Sequence, residues 1–393
     1  MISQEEALEK ILASVRPRPT RRVDLAEALD CFVAEDLPAV LAVPPFDNSA
    51  MDGYAVVASA AGRGRRLHVL GEQPAGIDRG LAVAPGEAIR IFTGGPLPAG
   101  ADAVVMQEDV TRDGDEIIVN TAVETGEFVR RRGGDIAEGQ RMLACGERIT
   151  PQRIALLAAQ GMGSLGVGGE VRVALISTGD ELAPPGTQLQ AGQIYDSNSA
   201  LLRALLQKCG AKVASVVHCA DRAEEIEAAV RAGTEGDALV ITGGVSVGAR
   251  DYVKEGIGAV GGALDLWRVA VKPGKPFLFG RAAQCAIFGL PGNPVSAFVT
   301  FLLFVRPALL KMMGANAAAL RLPATQARLE TELWNDGNRP HYLRGSLSNG
   351  AFRPSGRQES HALFGLSQSN ALLLLGPGER LENGALATVF TWD

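Results

Sequence analysis

Cysteine, histidine and long stretches of one charge are scarce in this 393-residue chain, and each scarcity closes a class of function. The five cysteines, Cys31, Cys145, Cys209, Cys219 and Cys285, are odd in number and widely spaced. They contain no Cys-x-x-Cys pair, which argues against structural zinc or a redox disulfide and for buried, reduced thiols. The four histidines, His68, His218, His341 and His361, lack ligand spacing, so neither a zinc site nor a Ser-His hydrolase is expected. His218, inside an apolar run, reads as a core residue, and any proton transfer falls to carboxylates. The net charge is -6 and the longest basic run is Arg130-Arg131-Arg132, too little to neutralise many phosphates, so nucleic acid is not an expected partner. The apolar run Ala297–Val305 is far shorter than the roughly 20 residues that cross a bilayer. Near the N-terminus, Ser3 and Glu6 have capping-box spacing, and Ala7, Leu8, Ile11, Leu12 and Val15 share one helical face; this reads as a helix, not a signal sequence. No membrane partner and a cytoplasmic location are therefore expected.

Hydrophobic residues make up 47% and charged residues 21%, a globular balance, and the length predicts two to four domains at about 150 residues each. From about Asp47 to Asp135 the chain is rich in Gly and Pro, with short β-type runs at 54–57, 67–70, 88–91, 104–106 and 116–119, which predicts a small β-rich domain. A helix over 150–160, capped by Thr150 with Pro151 in its first turn, precedes a loosened boundary at Gly161–Gly169. Alternation follows: strand 171–176, helix 200–209, strand 213–218, helix 223–232 and strand 238–242, the pattern of a doubly wound α/β domain. Residues 294–310 read as an apolar helix on that sheet. From Ala324 onward, short β-like segments broken by turns at 335–338, 348–350 and 376–378 predict a small all-β module.

The loops carry the chemistry. A parallel sheet binds its ligands beyond the carboxyl ends of its strands, and there lie Ser177-Thr178-Gly179-Asp180-Glu181, Thr242–Gly248, Lys272-Pro273-Gly274-Lys275-Pro276 and Pro291-Gly292-Asn293-Pro294. The glycines of 242–248 let backbone N–H groups approach phosphate oxygens, or else form an ordinary tight turn. Their spacing matches neither Gly-x-Gly-x-x-Gly nor the P-loop, which argues against a nicotinamide enzyme or an NTPase. Lys272 and Lys275 on a stiffened loop suit a compact tetrahedral oxyanion; the alternative is a solvated surface pair. The turn 291–294 opens a helix whose first N–H groups are free to meet an anion. Asp52, Asp135, Glu181, Asp221 and Asp251 each lie in or beside a turn-rich loop. Asp221 is equally a candidate helix N-cap, and Glu181 sits where several acids can collect around Mg²⁺ if their loops meet. The polar stretch Pro45–Ala55 has no packing rationale and reads as a site loop or a rigid hinge.

Together, Phe46-Asp47-Asn48-Ser49-Ala50-Met51-Asp52-Gly53-Tyr54-Ala55, Ser177–Leu182, Tyr195-Asp196-Ser197-Asn198, Gly243–Gly248, Lys272–Pro276 and Pro291–Pro294 resemble the molybdopterin molybdenumtransferase family, to which the C-terminal domain of gephyrin also belongs. The likeness runs over nearly the whole chain in order. It implies an elongated discontinuous domain (1–45 and 137–169), an inserted β-rich domain (46–136), an α/β molybdopterin-binding domain (170–315) and a C-terminal β-barrel (316–393). It also implies a homodimer whose cleft joins the α/β domain of one subunit to the β-rich domain of the other.

The reaction implied by the resemblance inserts molybdenum from molybdate into adenylylated molybdopterin, with Mg²⁺-dependent release of AMP. On the matching positions, Asp52, Thr93, Asp135, Glu181, Asp221 and Asp251 are tied to activity, with Glu181, Asp221 and Asp251 the metal set. Gly243, Gly244, Ser246 and Gly248 would meet the pterin phosphate, and Lys272, Lys275 and Pro276 the oxyanion. Arg344 and Ser360 would touch molybdate from the barrel, although Arg357–Asn370 is a loose version of the family stretch. The enzyme that adenylylates molybdopterin and acceptor molybdoenzymes are the implied protein partners. Two rival readings remain: the ATP-dependent adenylyltransferase itself, which the α/β domain alone resembles, and a non-catalytic scaffold of the same fold.

Overall fold

The computed structural model describes residues 1–244 and 252–392. The chain forms two compact units, each discontinuous in sequence: Asp36–Ala144 with Ala155–Gly163, and Met1–Glu35 with Cys145–Ile154 and Ser164–Asp393.

The smaller unit is built on a six-stranded mixed sheet in the order Ala103–Met106, Gly53–Val56, Glu87–Ile91, Arg66–Gln73, Glu116–Val119, Val110–Asp113. Five of these strands coincide with the β-type runs of the sequence. The sixth, Val110–Asp113, is largely exposed and half charged, so it shows no apolar signal; it is an edge strand held by its hairpin with Glu116–Val119. Val56, Ala88, Val105, Ile117 and Val119 fill the core. Asn48–Ser49 pairs antiparallel with Val129–Arg130, which pins the polar 45–53 loop. Gln160 is buried and holds the chain at 40–41, accepting from Val40 N and Leu41 N at 2.8 and 2.9 Å and donating to Leu41 O at 3.1 Å.

In the larger unit the N-terminal helix Gln4–Ser14 is capped by Ser3, whose hydroxyl accepts from Glu6 N. Its sheet has the order Lys212–Cys219, Arg172–Thr178, Ala238–Thr242, Cys285–Leu290, Leu278–Ala282, Ala263–Trp267. The first four strands are parallel and solidly apolar except at the edge; Leu278–Ala282 runs against them and pairs antiparallel with both its neighbours, Cys285–Leu290 and Ala263–Trp267. Leu278–Ala282 and Cys285–Leu290 hide in the sequence because the hairpin tip between them uses Ala283 at φ 50° rather than glycine or asparagine. Helix Pro294–Met312, with one π-type turn at Phe301–Val305, is as apolar as a membrane span, yet 89% of its most apolar window is buried in the core.

Two expectations are corrected here. The boundary expected at Gly161–Gly169 falls between Gly163 and Ser164, but the stretch is not loose throughout: Ser164–Val167 pairs antiparallel with Arg21–Asp24, because these residues alternate a buried Leu165 and Val167 with backbone able to complete a ladder. His218 is not a core residue. It lies on the edge strand Lys212–Cys219, most of whose residues are exposed, and is itself exposed.

The C-terminal segment closes a five-stranded barrel in the order Ala324–Leu329, Ala351–Pro354, His341–Ser348, Ala371–Leu375, Leu386–Thr391. Leu329, Leu343, Phe352, Leu373 and Val389 pack inside it. A short helix, Leu363–Ser367, interrupts the all-β pattern.

Candidate functional site

In the larger unit, the loops after the parallel strands gather at one edge of the sheet. After Arg172–Thr178, Gly179 adopts φ 147°, and a Cβ there would come within 2.6 Å of the Glu181 carboxylate, which folds back over it. After the neighbouring strand, Asp221 N donates to Asp180 Oδ1 at 3.1 Å. Burial raises the Asp221 carboxyl above its ordinary range, and the charges of Asp180 and Glu181 raise it further. Three acids therefore crowd one spot, and Asp180 joins the expected pair. Asp221 is not the cap of the next helix, as its alternative reading had it; Arg222 holds that position without a side-chain bond, and Glu225 binds Ala220 N instead. Among the described residues no three His, Cys, Asp or Glu side chains are set to hold a metal. Asp251, Ser246 and Gly248 lie outside the described residues.

One strand further along, Gly243 and Gly244 have φ 87° and 64°. A Cβ on Gly243 would sit 2.4 Å from Thr178 O, and one on Gly244 2.8 Å from Val253, so no larger residue fits. Beneath them lies a residue absent from the expected site, Asn198. Buried at the start of helix Ser197–Lys208, it donates from Nδ2 to Thr242 Oγ1 at 3.0 Å and to Gly292 O at 2.7 Å, tying the ends of two strands together. Its place in Tyr195-Asp196-Ser197-Asn198 is the signal that marks it.

The residues expected to hold an oxyanion lie where the sheet joins the barrel. The Lys272–Pro276 loop is stitched to the barrel strand by Lys272 N to Pro340 O at 2.9 Å and Tyr342 N to Lys272 O at 2.7 Å. Lys272 is half-buried and Lys275 exposed. Arg344, two residues beyond Tyr342, is 1% exposed. Its Nη2 donates to the carbonyls of Arg357, Glu359 and Ala362, while Nε and Nη1 are buried without a partner among the described residues. No carboxylate among the described residues pairs with it, and burial lowers its pKa. Ser360, from the same cage, accepts from Asn293 Nδ2 at 2.9 Å, and its carbonyl accepts from Val295 N at 3.1 Å. The barrel loop is thus docked on the turn that opens helix Pro294–Met312. Buried His341 is pushed down to about 4 by desolvation, then by Lys272, Arg339 and Arg344. That neighbourhood is strongly positive.

In the smaller unit, Asp52 and Thr93 come together: Asp52 Oδ1 accepts from Thr93 N at 2.7 Å and Thr93 Oγ1 at 2.8 Å. Those bonds hold the exposed Asp52 carboxyl below its usual range. Asp135 is exposed, and its backbone N donates to Val43 O at 3.0 Å; no side-chain bond links it to Asp52. The 130–135 loop is fastened to the polar loop through Asp47, which accepts from Arg131 Nη1 and Arg132 N, both at 2.7 Å.

Comparison with known proteins agrees with this layout. Residues 2–161 match the family described as MoeA N-terminal region (domain I and II), 174–311 the probable molybdopterin binding domain, and 326–392 the MoeA C-terminal region (domain IV). The chain is 35% identical to a molybdopterin molybdenumtransferase of Haemophilus influenzae, covering 95% of this chain and 94% of that protein. It is 38% identical to one of Synechococcus elongatus over 83% and 84%. A crystal structure of the molybdopterin biosynthesis moeA protein from Pyrococcus horikoshii OT3 superposes with a TM-score of 0.86 at 31% identity, covering 100% of both chains. The chain therefore belongs to the MoeA family of molybdopterin molybdenumtransferases, transferases of molybdenum cofactor biosynthesis.

Proposed function

We propose that this chain moves molybdenum from molybdate onto adenylylated molybdopterin, releasing AMP in a Mg²⁺-dependent step. The observation that carries the reading is Arg344, a buried guanidinium with two nitrogens lacking any acceptor beside a lysine loop. An unpaired buried cation is costly unless a ligand completes it. A tetrahedral dianion fits: it can accept from Arg344 Nε and Nη1 and draw in Lys272, Lys275 and Ser360, with Pro276 closing the loop. Arg344 and the lysines hold the oxyanion; Gly243 and Gly244 give the substrate phosphate backbone access.

The carboxylates of Asp180, Glu181 and Asp221, with Asp251 added by motif, are oxygen donors that would suit a hard cation once it draws them together. Bound Mg²⁺ would draw charge from the diphosphate oxygens as the link to AMP breaks. The chain's own part is to hold that link at the sheet edge while the sulfurs face the oxyanion. The same reading keeps the four-domain division set out above. It also makes the active molecule a homodimer, in which a second copy presents Asp52, Thr93 and Asp135 to the substrate. In support, Asp52 is exposed, kept ionised by Thr93 and carries no packing load. Mixed dimers of Asp52→Asn and Arg344→Gln chains then regain activity by pairing one intact set.

Incubation of the purified chain with adenylylated molybdopterin, Mg²⁺ and molybdate should release AMP and yield molybdenum cofactor. No release supports the scaffold reading; adenylylation of molybdopterin by ATP supports the adenylyltransferase reading.

A further inference from the structure

Beside the end of helix Gln4–Ser14 opens a cavity of about 510 Å³ that nothing above employs. Three arginines line it: Arg16 and Arg18, which follow that helix, and Arg281, in the strand that leads to the Ala283 tip. Arg18 N donates to the carbonyl of buried Met312 at 2.7 Å, which fixes the 16–18 segment to the core, and Pro17 and Pro19 stiffen it further. Ala286, near the start of Cys285–Leu290, also lines the cavity and donates its N–H to Asp237 O at 3.1 Å, so the cavity lies at the amino ends of the parallel strands. The candidate catalytic loops follow the opposite ends. Five residues of Ala238–Thr242 at about 3.3 Å each put them roughly 16 Å away.

Positive charge is in excess here. Arg18 is held by Asp237 at 2.8 Å and Arg281 by Asp265 at 3.3 Å, whereas Arg16 is exposed and has no carboxylate partner among the described residues. Asp237 is doubly engaged, since its other oxygen accepts from Arg172 N at 2.7 Å. Neither acid lines the cavity, and no other carboxylate does among the described residues. The two anchored arginines use one nitrogen each on those acids, and their remaining nitrogens make no bond among the described residues. Like charges converging on one cavity repel, and an anion between them reverses the sign of the interaction.

We propose that this cavity binds a compact polyanion of linked phosphates, of which inorganic diphosphate is the smallest, at a site separate from the reaction proposed above. Guanidinium forks meet phosphate oxygens two at a time, and linked phosphates supply the charge and the oxygens to engage three forks together. The volume lies within the roughly 300–1,000 Å³ of ligand sites, more room than one orthophosphate fills. The wall contains no aromatic ring, so nothing there stacks on a nucleobase and the anion itself carries the recognition.

Inorganic diphosphate is titrated calorimetrically, in Mg²⁺-free buffer, into wild type, Arg16→Ala/Arg281→Ala and Arg344→Gln. The double variant should bind it more weakly by about tenfold or more for each guanidinium removed, while Arg344→Gln, altered only in the barrel, keeps the same binding event. Equal affinity and stoichiometry in wild type and the double variant overturns the proposal, as does a wild type that takes up no diphosphate. Should the double variant not fold, Arg16→Ala alone decides in the same way, because that exposed side chain has no ion pair to lose. Orthophosphate bound as tightly as diphosphate would assign the cavity to a single oxyanion, and citrate bound more tightly would assign it to carboxylates; either result overturns the proposal.

Discussion

Replacing Arg344 with glutamine distinguishes a ligand-holding guanidinium from a packing one. In the unliganded protein Nε and Nη1 are buried without partners, and each unsatisfied buried donor costs on the order of 1–3 kcal/mol. An oxyanion that accepts from both recovers at least about 2 kcal/mol, roughly thirtyfold in affinity. Arg344→Gln should therefore weaken molybdate binding by about thirtyfold or more.

Stability should respond differently. The substitution loses the two charged N–H groups of Nη2, shared among three carbonyls and worth about 3–6 kcal/mol together. It also removes two unsatisfied donors costing about 2–6 kcal/mol together, so the two changes largely offset and the unliganded variant melts near wild type. Molybdate at 100 times the wild-type Kd stabilises wild type by about 2.7 kcal/mol, a rise of several degrees in Tm, and the variant by no more than about 0.9 kcal/mol. Calorimetric melts with and without molybdate read both effects. A full molybdate-induced rise in the variant would refute the reasoning. So would a variant that cannot fold, because the guanidinium would then be a structural part of the barrel.

Thr93→Val removes the hydroxyl that helps hold the Asp52 carboxyl low, so the acid limb of the pH–rate profile should move to higher pH; an unmoved limb excludes Asp52 from turnover. His341 titrates at about 4 when folded against 6.5 ordinarily, so the unfolded chain takes up the proton first as pH falls. Stability is thus complete above about 6.5 and lost down to about 4, by up to about 3 kcal/mol. Urea melts at neutral and acid pH should show His341→Gln losing less than wild type. Gly243→Ala places a Cβ 2.4 Å from Thr178 O at φ 87° and should cost on the order of 1–3 kcal/mol in a thermal melt, with AMP release falling in step. A neutral Gly243→Ala would mean that the loop has another accessible path.

The central parallel strands Arg172–Thr178 and Ala238–Thr242 were legible because burial on both faces makes them continuous apolar runs, and their lengths came out within a few residues; Cys285–Leu290, equally buried, was not assigned. Where pairing, and not burial, makes the element, the reading failed. Ser164–Val167 is a strand because Arg21–Asp24 lies beside it, and no local pattern reports a partner over 140 positions away. His218 shows the converse error: an apolar neighbourhood in sequence became an open sheet edge, since edge position is a property of topology.

The loop chemistry was visible as residue types, but its internal logic was not. Motif reading places an acid at 181 and another at 221; only folding shows that Asp180 stands between them and that the three charges oppose one another. It places cations at 272, 275 and 344, yet a cation in a sequence gives no sign of whether a carboxylate will meet it. Lys10 has Glu6, Arg66 has Asp113 and Glu116, and Arg153 has Glu147. Arg344 has carbonyls on one nitrogen and nothing on the other two. A fold that pairs so many of its exposed arginines while leaving its most buried one incomplete bears a cost that packing does not return, and an incoming oxyanion is the partner that would offset it.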